Sequence, residues 1–303
     1  MPSKVFLARS HNRSEGIPNL LEQMDLPSVT GKHVAVKPNF NSADPFPAST
    51  HIDTLRTFIL ILKEAGAQRI TLADRSGIGD TRRVLAKMGV MKLAEELDFE
   101  VVVLNELLEE EWVHHQAKNF HWKRGFLMAK VFLDADMIVQ TCCLKTHQYG
   151  GHFTLSLKNA VGMVAGTDPS DGYDYMRELH SSEFQRQMIA EINTVFETPV
   201  ILMDAIKAFV RGGPAHGIEV APSLFLAGSD RVAIDAVGVA ILRHFGTTLE
   251  VTQGKIFKQE QLARAIELGV DKTQSAQDIQ LVPIDEASKD AIHVLEPILK
   301  NEH

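Results

Sequence analysis

Met137-Ile138-Val139, and shortly after it Lys145-Thr146-His147-Gln148-Tyr149-Gly150-Gly151-His152-Phe153-Thr154-Leu155-Ser156-Leu157-Lys158-Asn159-Ala160-Val161-Gly162, set the reading of the whole chain. An apolar, strand-like run leads into two lysines, two histidines, a tyrosine, a serine and an asparagine, with paired glycines between them. Buried polar groups without partners are costly, so core segments do not collect this many titratable side chains. Gathered beyond a strand, they read as a site, because α/β folds place ligands outside the carboxyl ends of their strands. The alternative is a glycine-containing surface loop with incidental basic residues.

The same arrangement recurs on either side. Residues 33–40 open as a strand and break at Pro38, and the polar residues Asn39, Asn41, Ser42 and Asp44 follow. Residues 51–65 have helical spacing, with Leu55, Phe58, Ile59 and Leu62 on one face. A second strand over 69–73 runs into Asp74-Arg75-Ser76-Gly77-Ile78-Gly79. Glycine there lets the backbone approach a ligand, and the next helix, capped by Asp80, offers an N-terminus that favours anions. The spacing falls short of a dinucleotide fingerprint, which needs a third glycine.

Further along, a helix over 81–97 breaks near Gly89, and strands follow over 100–104 and 136–141. Residues 167–180 are rich in Asp, Gly and Tyr, have no period, and read as a lid or insertion. A helix starts at Ser181 or Ser182, and a strand over 199–203 ends at Asp204, ahead of Arg211-Gly212-Gly213-Pro214. A strand over 224–227 precedes a helix capped by Asp230, with Asp235 one turn inside; a helix over 258–268, a strand over 278–282 and a last helix complete the chain. This alternation predicts an α/β fold, a mostly parallel sheet with helices on both faces in Rossmann-like layers. We expect one α/β domain over 1–303; any division into two lobes would fall near 140–145.

Composition narrows the function classes. The net charge of −8, with no basic run to offset it, argues against nucleic-acid binding. No apolar stretch approaches the roughly 20 residues that span a bilayer, so no membrane role is expected. The first residues lack the apolar core of a signal peptide, which points to the cytoplasm. Cys142 and Cys143 are the only cysteines, so an internal four-cysteine iron–sulfur cluster is excluded by count. His114, His115 and His121 lie among Lys118, Trp122, Lys123 and Arg124, which reads as an exposed hairpin or loop more than a metal set. The oligomeric state has no signature here.

Together, Lys37-Pro38-Asn39, Ala73-Asp74-Arg75-Ser76-Gly77, Lys145-Thr146-His147 with Thr154 to Asn159 and Gly162, Asp204-Ala205 with Gly212-Gly213-Pro214, and Asp230 to Gly238 resemble the domain of unknown function 362 family, from about residue 33 to about residue 246. Some members of that family carry appended ferredoxin-type modules, which this chain lacks. The chain also distantly resembles the nickel-pincer lactate racemases: His147, a glycine-containing stretch and Lys158 imitate the layout in which a lysine holds the pincer. The spacing is one residue longer here, and Thr154-Leu155-Ser156-Leu157 replaces small glycine-rich residues. That resemblance implies an isomerase or racemase type of chemistry, and it makes a divalent metal a candidate cofactor, with His147, His180 and Asp235 as candidate ligands.

Two readings of function follow. In the first, the chain is an enzyme acting on a small anionic molecule. Lys145 and Lys158 bind or polarise the anion, and a lysine shifted down by burial acts as base. His147 and His152 shuttle protons, while Lys37, Asn39, Asp74, Arg75, Ser76, Gly77, Asn159, Asp204, Gly212 and Gly213 line the binding site. In the second, the same loops hold a cofactor or partner without catalysis, in company with iron–sulfur redox proteins.

Overall fold

The computed structural model describes residues 1–24 and 26–300. Twelve strands are described: β1 Ser3–Arg9, β2 His33–Lys37, β3 Arg69–Asp74, β4 Glu100–Val103, β5 Trp112–His115, β6 Phe126–Ala129, β7 Met137–His147, β8 His152–Thr154, β9 Val200–Gly212, β10 Gly217–Val220, β11 Leu224–Gly228 and β12 Ile279–Pro283. The main sheet has the order β12-β1-β11-β9-β7-β2-β3-β4, with β10 beside the end of β9 and β8 beside the end of β7. From β9 to β4 every neighbouring pair is parallel, whereas β11 runs against both β9 and β1. The result is a mostly parallel mixed sheet wrapped by helices. β5 and β6 form a separate antiparallel pair around His114 and His115; of the stretch expected as an exposed hairpin or loop, Trp122 is buried.

Strand alternation sends side chains to two faces. On one face Val34, Val36, Leu72 and Val139 meet the helices Arg13–Met24 and Ile52–Glu64. On the other, Cys142, Leu144, Ile201 and Met203 meet the helix Arg231–His244. The small residues Ala35 and Ala73 also face this second side, and Ala160, Val161 and Met163 settle against them. That small-residue bed lets the chain after Lys158 cross directly over β2 and β3.

The topology fixes where a ligand can enter. β2 leads outward through β3 to β4, and the chain then returns to lay β7 on the other side of β2 and β9 beyond it. The direction of progression reverses between β2 and β7, and a crevice opens outside their carboxyl ends.

Several elements depart from the sequence reading. β7 continues six residues beyond Thr141, through Cys142 to His147, so 140–145 is strand interior and Lys145 and His147 sit on the strand itself. The Gly150-Gly151 pair turns a β-hairpin into β8, and a short helix Ser156–Asn159 follows. β9 likewise runs past Asp204 to Gly212, with a register shift opposite Cys143 and Leu144. The aperiodic segment contains a helix, Tyr175–Ser181. Strand β1 and the helix Arg13–Met24 have no counterpart in the expected elements; four consecutive buried residues, Val5, Phe6, Leu7 and Ala8, make β1 an interior strand. No described helix is long and apolar enough to cross a membrane.

Candidate functional site

The crevice between the ends of β2 and β7 is a cleft of about 580 Å³. Each wall is built by a loop that its own sequence anchors. After β2, the backbone N–H of Asn39 donates to Thr50 Oγ1 and that of Thr50 to the Asn39 carbonyl, closing the loop rich in prolines. After β3, the N–H groups of Gly77 and Ile78 both donate to the Asn41 carbonyl, and Ser76 Oγ donates to the Phe40 carbonyl. A Cβ on Gly77 would stand 2.5 Å from Asn41 Oδ1, so glycine is what allows the two loops to meet.

Three lysines project from these strand ends and from the short helix, and their surroundings differ. Lys37 Nζ lies 2.7 Å from Asp74 Oδ1 and also donates to the Pro38 carbonyl and to Asn159 Oδ1. Asp74 is held in turn by the backbone N–H groups of Phe40 and Arg75. Lys145 Nζ donates to Asn39 Oδ1 at 3.1 Å and to the Ala48 carbonyl. Burial lowers both ammonium groups from their ordinary range, with Asp74 working the other way at Lys37. Lys158 is 8% exposed, and among the described residues its Nζ has neither an ion pair nor a hydrogen bond. Burial, then the charges of Lys145 and Arg75, push it down to about 8.

Beside Lys158 stands His147. A Cβ on Gly151 would lie 2.8 Å from Lys158 Cε and 2.9 Å from His147 Nδ1, so the hairpin glycine packs directly against both. Burial, followed by the charges of Lys158, Lys145 and His180, drives the imidazole far below its usual range; its own backbone opposes this only weakly. His147 is therefore neutral throughout the physiological range. Its Nδ1 is buried without a side-chain or backbone partner of hydrogen-bond geometry, and so is Thr154 Oγ1 on the same cleft wall. Buried polar atoms are almost always satisfied in folded proteins, so two orphans on one wall mark a place where a ligand or water belongs.

Arg75 closes the floor, donating to the carbonyls of Val161 and Val164. Asn159 ties the floor to β7 through Gln140 Oε1 and the Thr141 carbonyl. The outer wall comes from the helix Tyr175–Ser181, whose N-cap Asp174 accepts from the Arg177 N–H and whose Met176, Arg177 and His180 line the cleft. The cleft is thus lined by five cationic side chains, Lys37, Arg75, Lys145, Lys158 and Arg177, against two acidic ones, Asp74 and Asp174.

Of the residues singled out from sequence, Lys37, Asn39, Asp74, Arg75, Gly77, Lys145, His147, Lys158, Asn159 and His180 line this cleft together. The others lie elsewhere. His152 lines a second pocket of about 310 Å³, which shares His147 with the cleft, along with Gly212, Thr248 and Glu250. Ser76 is spent on the loop contact to Phe40. Asp204 binds Arg13 Nε and Thr54 Oγ1, tying β9 to two helices. Gly213 supports the end of β7: a Cβ there would meet the Thr146 carbonyl, and only Pro214 of that turn reaches the cleft. Asp235 accepts from the N–H groups of Ser156 and Leu157 and from Ser156 Oγ, so it fastens the helix that carries Lys158 from below. Burial raises its carboxyl to about 7. Asp174, Met176 and Arg177 were missed; an Asp three residues before Arg177, with Tyr175 and Leu179 at helical spacing, was the available signal.

Among the described residues no group of three or more His, Cys, Asp or Glu side chains is placed to hold a metal ion. The donors in the cleft are a poor fit for a divalent cation on their own. His147 and His180 are surrounded by Lys145, Lys158 and Arg75, and Asp74 is already engaged by Lys37.

A cationic cleft at the switch point of a mostly parallel sheet places the chain among α/β proteins whose strand ends open into a crevice. The chain belongs to the family described as Domain of unknown function (DUF362), whose model matches residues 34–240. Among solved structures it is similar to the lactate racemase apoprotein from Thermoanaerobacterium thermosaccharolyticum, at 11% identity over 98% of this chain and 91% of that one, with a TM-score of 0.47. No curated protein matches the sequence.

Proposed function

We propose that the cleft binds a small carboxylate-bearing molecule and that Lys158 and His147 carry out acid–base chemistry on it, of the proton-removal and proton-return kind that an isomerase uses. The observation that carries this reading is Lys158 itself, a lysine only 8% exposed whose ammonium has no acceptor among the described residues, next to further cations and facing the cleft. An unpaired buried charge is costly, and an anion in the cleft would relieve that cost. Lys145 and Arg177 add to the field that draws the anion in. Lys158, down at about 8, is about one tenth free amine at pH 7, and that form takes the proton. His147, held neutral, donates a hydrogen bond to the carboxylate oxygen where charge develops.

The test is solvent-deuterium exchange at the carbon next to the carboxylate in a panel of small 2-hydroxy and 2-amino acids. Exchange that is lost in Lys158→Met, in a variant that still folds, supports the reading. Binding of the same acids with no exchange in any of them would leave the cleft as a binding module without catalysis.

A further inference from the structure

We propose that Lys158 is a nucleophile toward carbonyl carbon, so that the substrates of the cleft are small carboxylates bearing an aldehyde or ketone, the 2-oxo acids and their relatives. The inference rests on the small-anion reading above and narrows it to one chemical class.

Three lysines reach the cleft, and their partners separate them. Lys37 is committed to Asp74 and Asn159, and Lys145 to Asn39 and the Ala48 carbonyl. Acceptors such as these stabilise the protonated, non-nucleophilic form against the lowering that burial causes at both lysines. Lys158 has none among the described residues, and its neighbours Lys145 and Arg75 favour loss of its proton. A desolvated lysine beside other cations is the environment that makes an amine nucleophilic near neutral pH. With the group down at about 8 from an ordinary 10.5, the free amine at neutral pH is more abundant by about two orders of magnitude than on an exposed lysine.

The step balances without any oxidant or reductant. The Nζ lone pair forms a bond to the carbonyl carbon, the C=O pair moves to oxygen, and a proton passes from nitrogen to that oxygen. The hydroxyl takes a second proton from solvent and leaves as water with the C–O pair, while the nitrogen lone pair forms the C=N bond of the iminium. The cleft holds unused polar groups for the intermediate: His147 Nδ1, packed against the same glycine as Lys158, and Thr154 Oγ1, both buried and without partners. The carboxylate of the substrate would lie toward Lys145 and Arg177. The new iminium keeps the positive charge of Lys158, so the electrostatic fit to the carboxylate is preserved.

The experiment treats the full chain with glyoxylate or pyruvate in the presence of cyanoborohydride, which reduces an iminium to a stable amine, and maps the adduct by peptide mass. The expected result is a single carboxymethyl or carboxyethyl group on Lys158, at least about tenfold above any exposed lysine given the difference in free amine. Lys158→Arg, which keeps the charge, should lose it. Acetaldehyde, which lacks the carboxylate, should label Lys158 less than glyoxylate does at the same concentration. Adducts spread over exposed lysines with Lys158 unmodified would overturn the proposal. Calorimetry with lactate, which has no carbonyl, separates the two failures. If lactate binds and Lys158→Met weakens it while no adduct forms, the nucleophile proposal alone fails. If neither lactate binding nor an adduct is found, the small-anion reading fails with it.

Discussion

Gly162 lies against Lys37 with no room for a side chain: a Cβ built on it would stand 2.8 Å from Lys37 Nζ and 2.7 Å from Asp74 Oδ1. The backbone beyond Lys158 therefore seals the inner side of the Lys37–Asp74 pair. The small residues Ala35 and Ala73 beneath it make that approach possible. Glycine is needed here for space and not for an unusual backbone angle, so the effect of a methyl is purely steric. Gly162→Ala should push the pair apart or lift the segment 160–163. Overpacking of this kind costs about 1–3 kcal/mol. Chemical denaturation should read that loss, and anion binding should weaken with it. A variant as stable as the parent, with binding intact, would show that the floor gives way easily.

The Lys37–Asp74 pair makes a second prediction. Both side chains are 2% exposed, so removing one charge strands the other in the interior. Lys37→Met should cost about 3–5 kcal/mol, the usual penalty for breaking a buried pair. Lys37→Met combined with Asp74→Asn should recover part of that loss, because no buried charge is then left alone. Urea unfolding of the two single variants and the double variant checks this. If the effects simply add, the pair is not coupled and Asp74 is held by Phe40 and Arg75 alone.

The vicinal thiols give a third. Cys142 belongs to the core facing the helix Arg231–His244, while Cys143 faces the other side of the sheet, near Thr50. Each is 1% exposed, and burial pushes Cys143 up to about 11 and Cys142 well above its ordinary value. The thiolate is the reactive species. Native protein at pH 8 should therefore show no fast reaction with a disulfide reagent, and both thiols should react after unfolding. A rapidly reacting thiol in the native state would reopen a redox role for this strand.

Much of the site could be read from the residues that end strands. Lys37, Asp74 and Lys145 each follow an apolar run, and the loops after them carry the glycines and amides that a strand-end site needs. At Thr141 and at Asp204 a polar residue after an apolar run looks like a strand end. Both strands continue. Thr146 is satisfied by the carbonyls of Phe209 and Gly212, and Asp204 by Arg13 and Thr54. A sequence does not reveal partners that lie more than 60 residues away, so a buried polar residue is easily taken for an exposed one. His152 failed differently. It is two residues from a cleft-lining position, but its backbone takes φ 61°, and the side chain lines the neighbouring pocket that shares His147 with the cleft.

The last prediction concerns the stability cost of Lys158. Its folded-state pKa is about 8, against an ordinary 10.5, so folding disfavours its charged form. The sign follows from proton counting. Between these two values the unfolded chain binds more protons than the folded one, and stability rises with pH. Below about 8 both states are protonated and the whole penalty is present, about 3 kcal/mol for a shift of this size. Lys158→Met keeps most of the apolar stem and removes the charge. The variant should therefore be more stable than the parent at pH 7, and the difference should shrink as pH rises through the window from 8 to 10.5. Added lactate or acetate should stabilise the parent and not the variant, because the anion supplies the partner that Lys158 lacks. Denaturant melts of both proteins across this range decide the matter. A Lys158→Met protein that is less stable than the parent at pH 7 would make Lys158 a structural residue, and Lys145 would become the stronger candidate for the functional lysine.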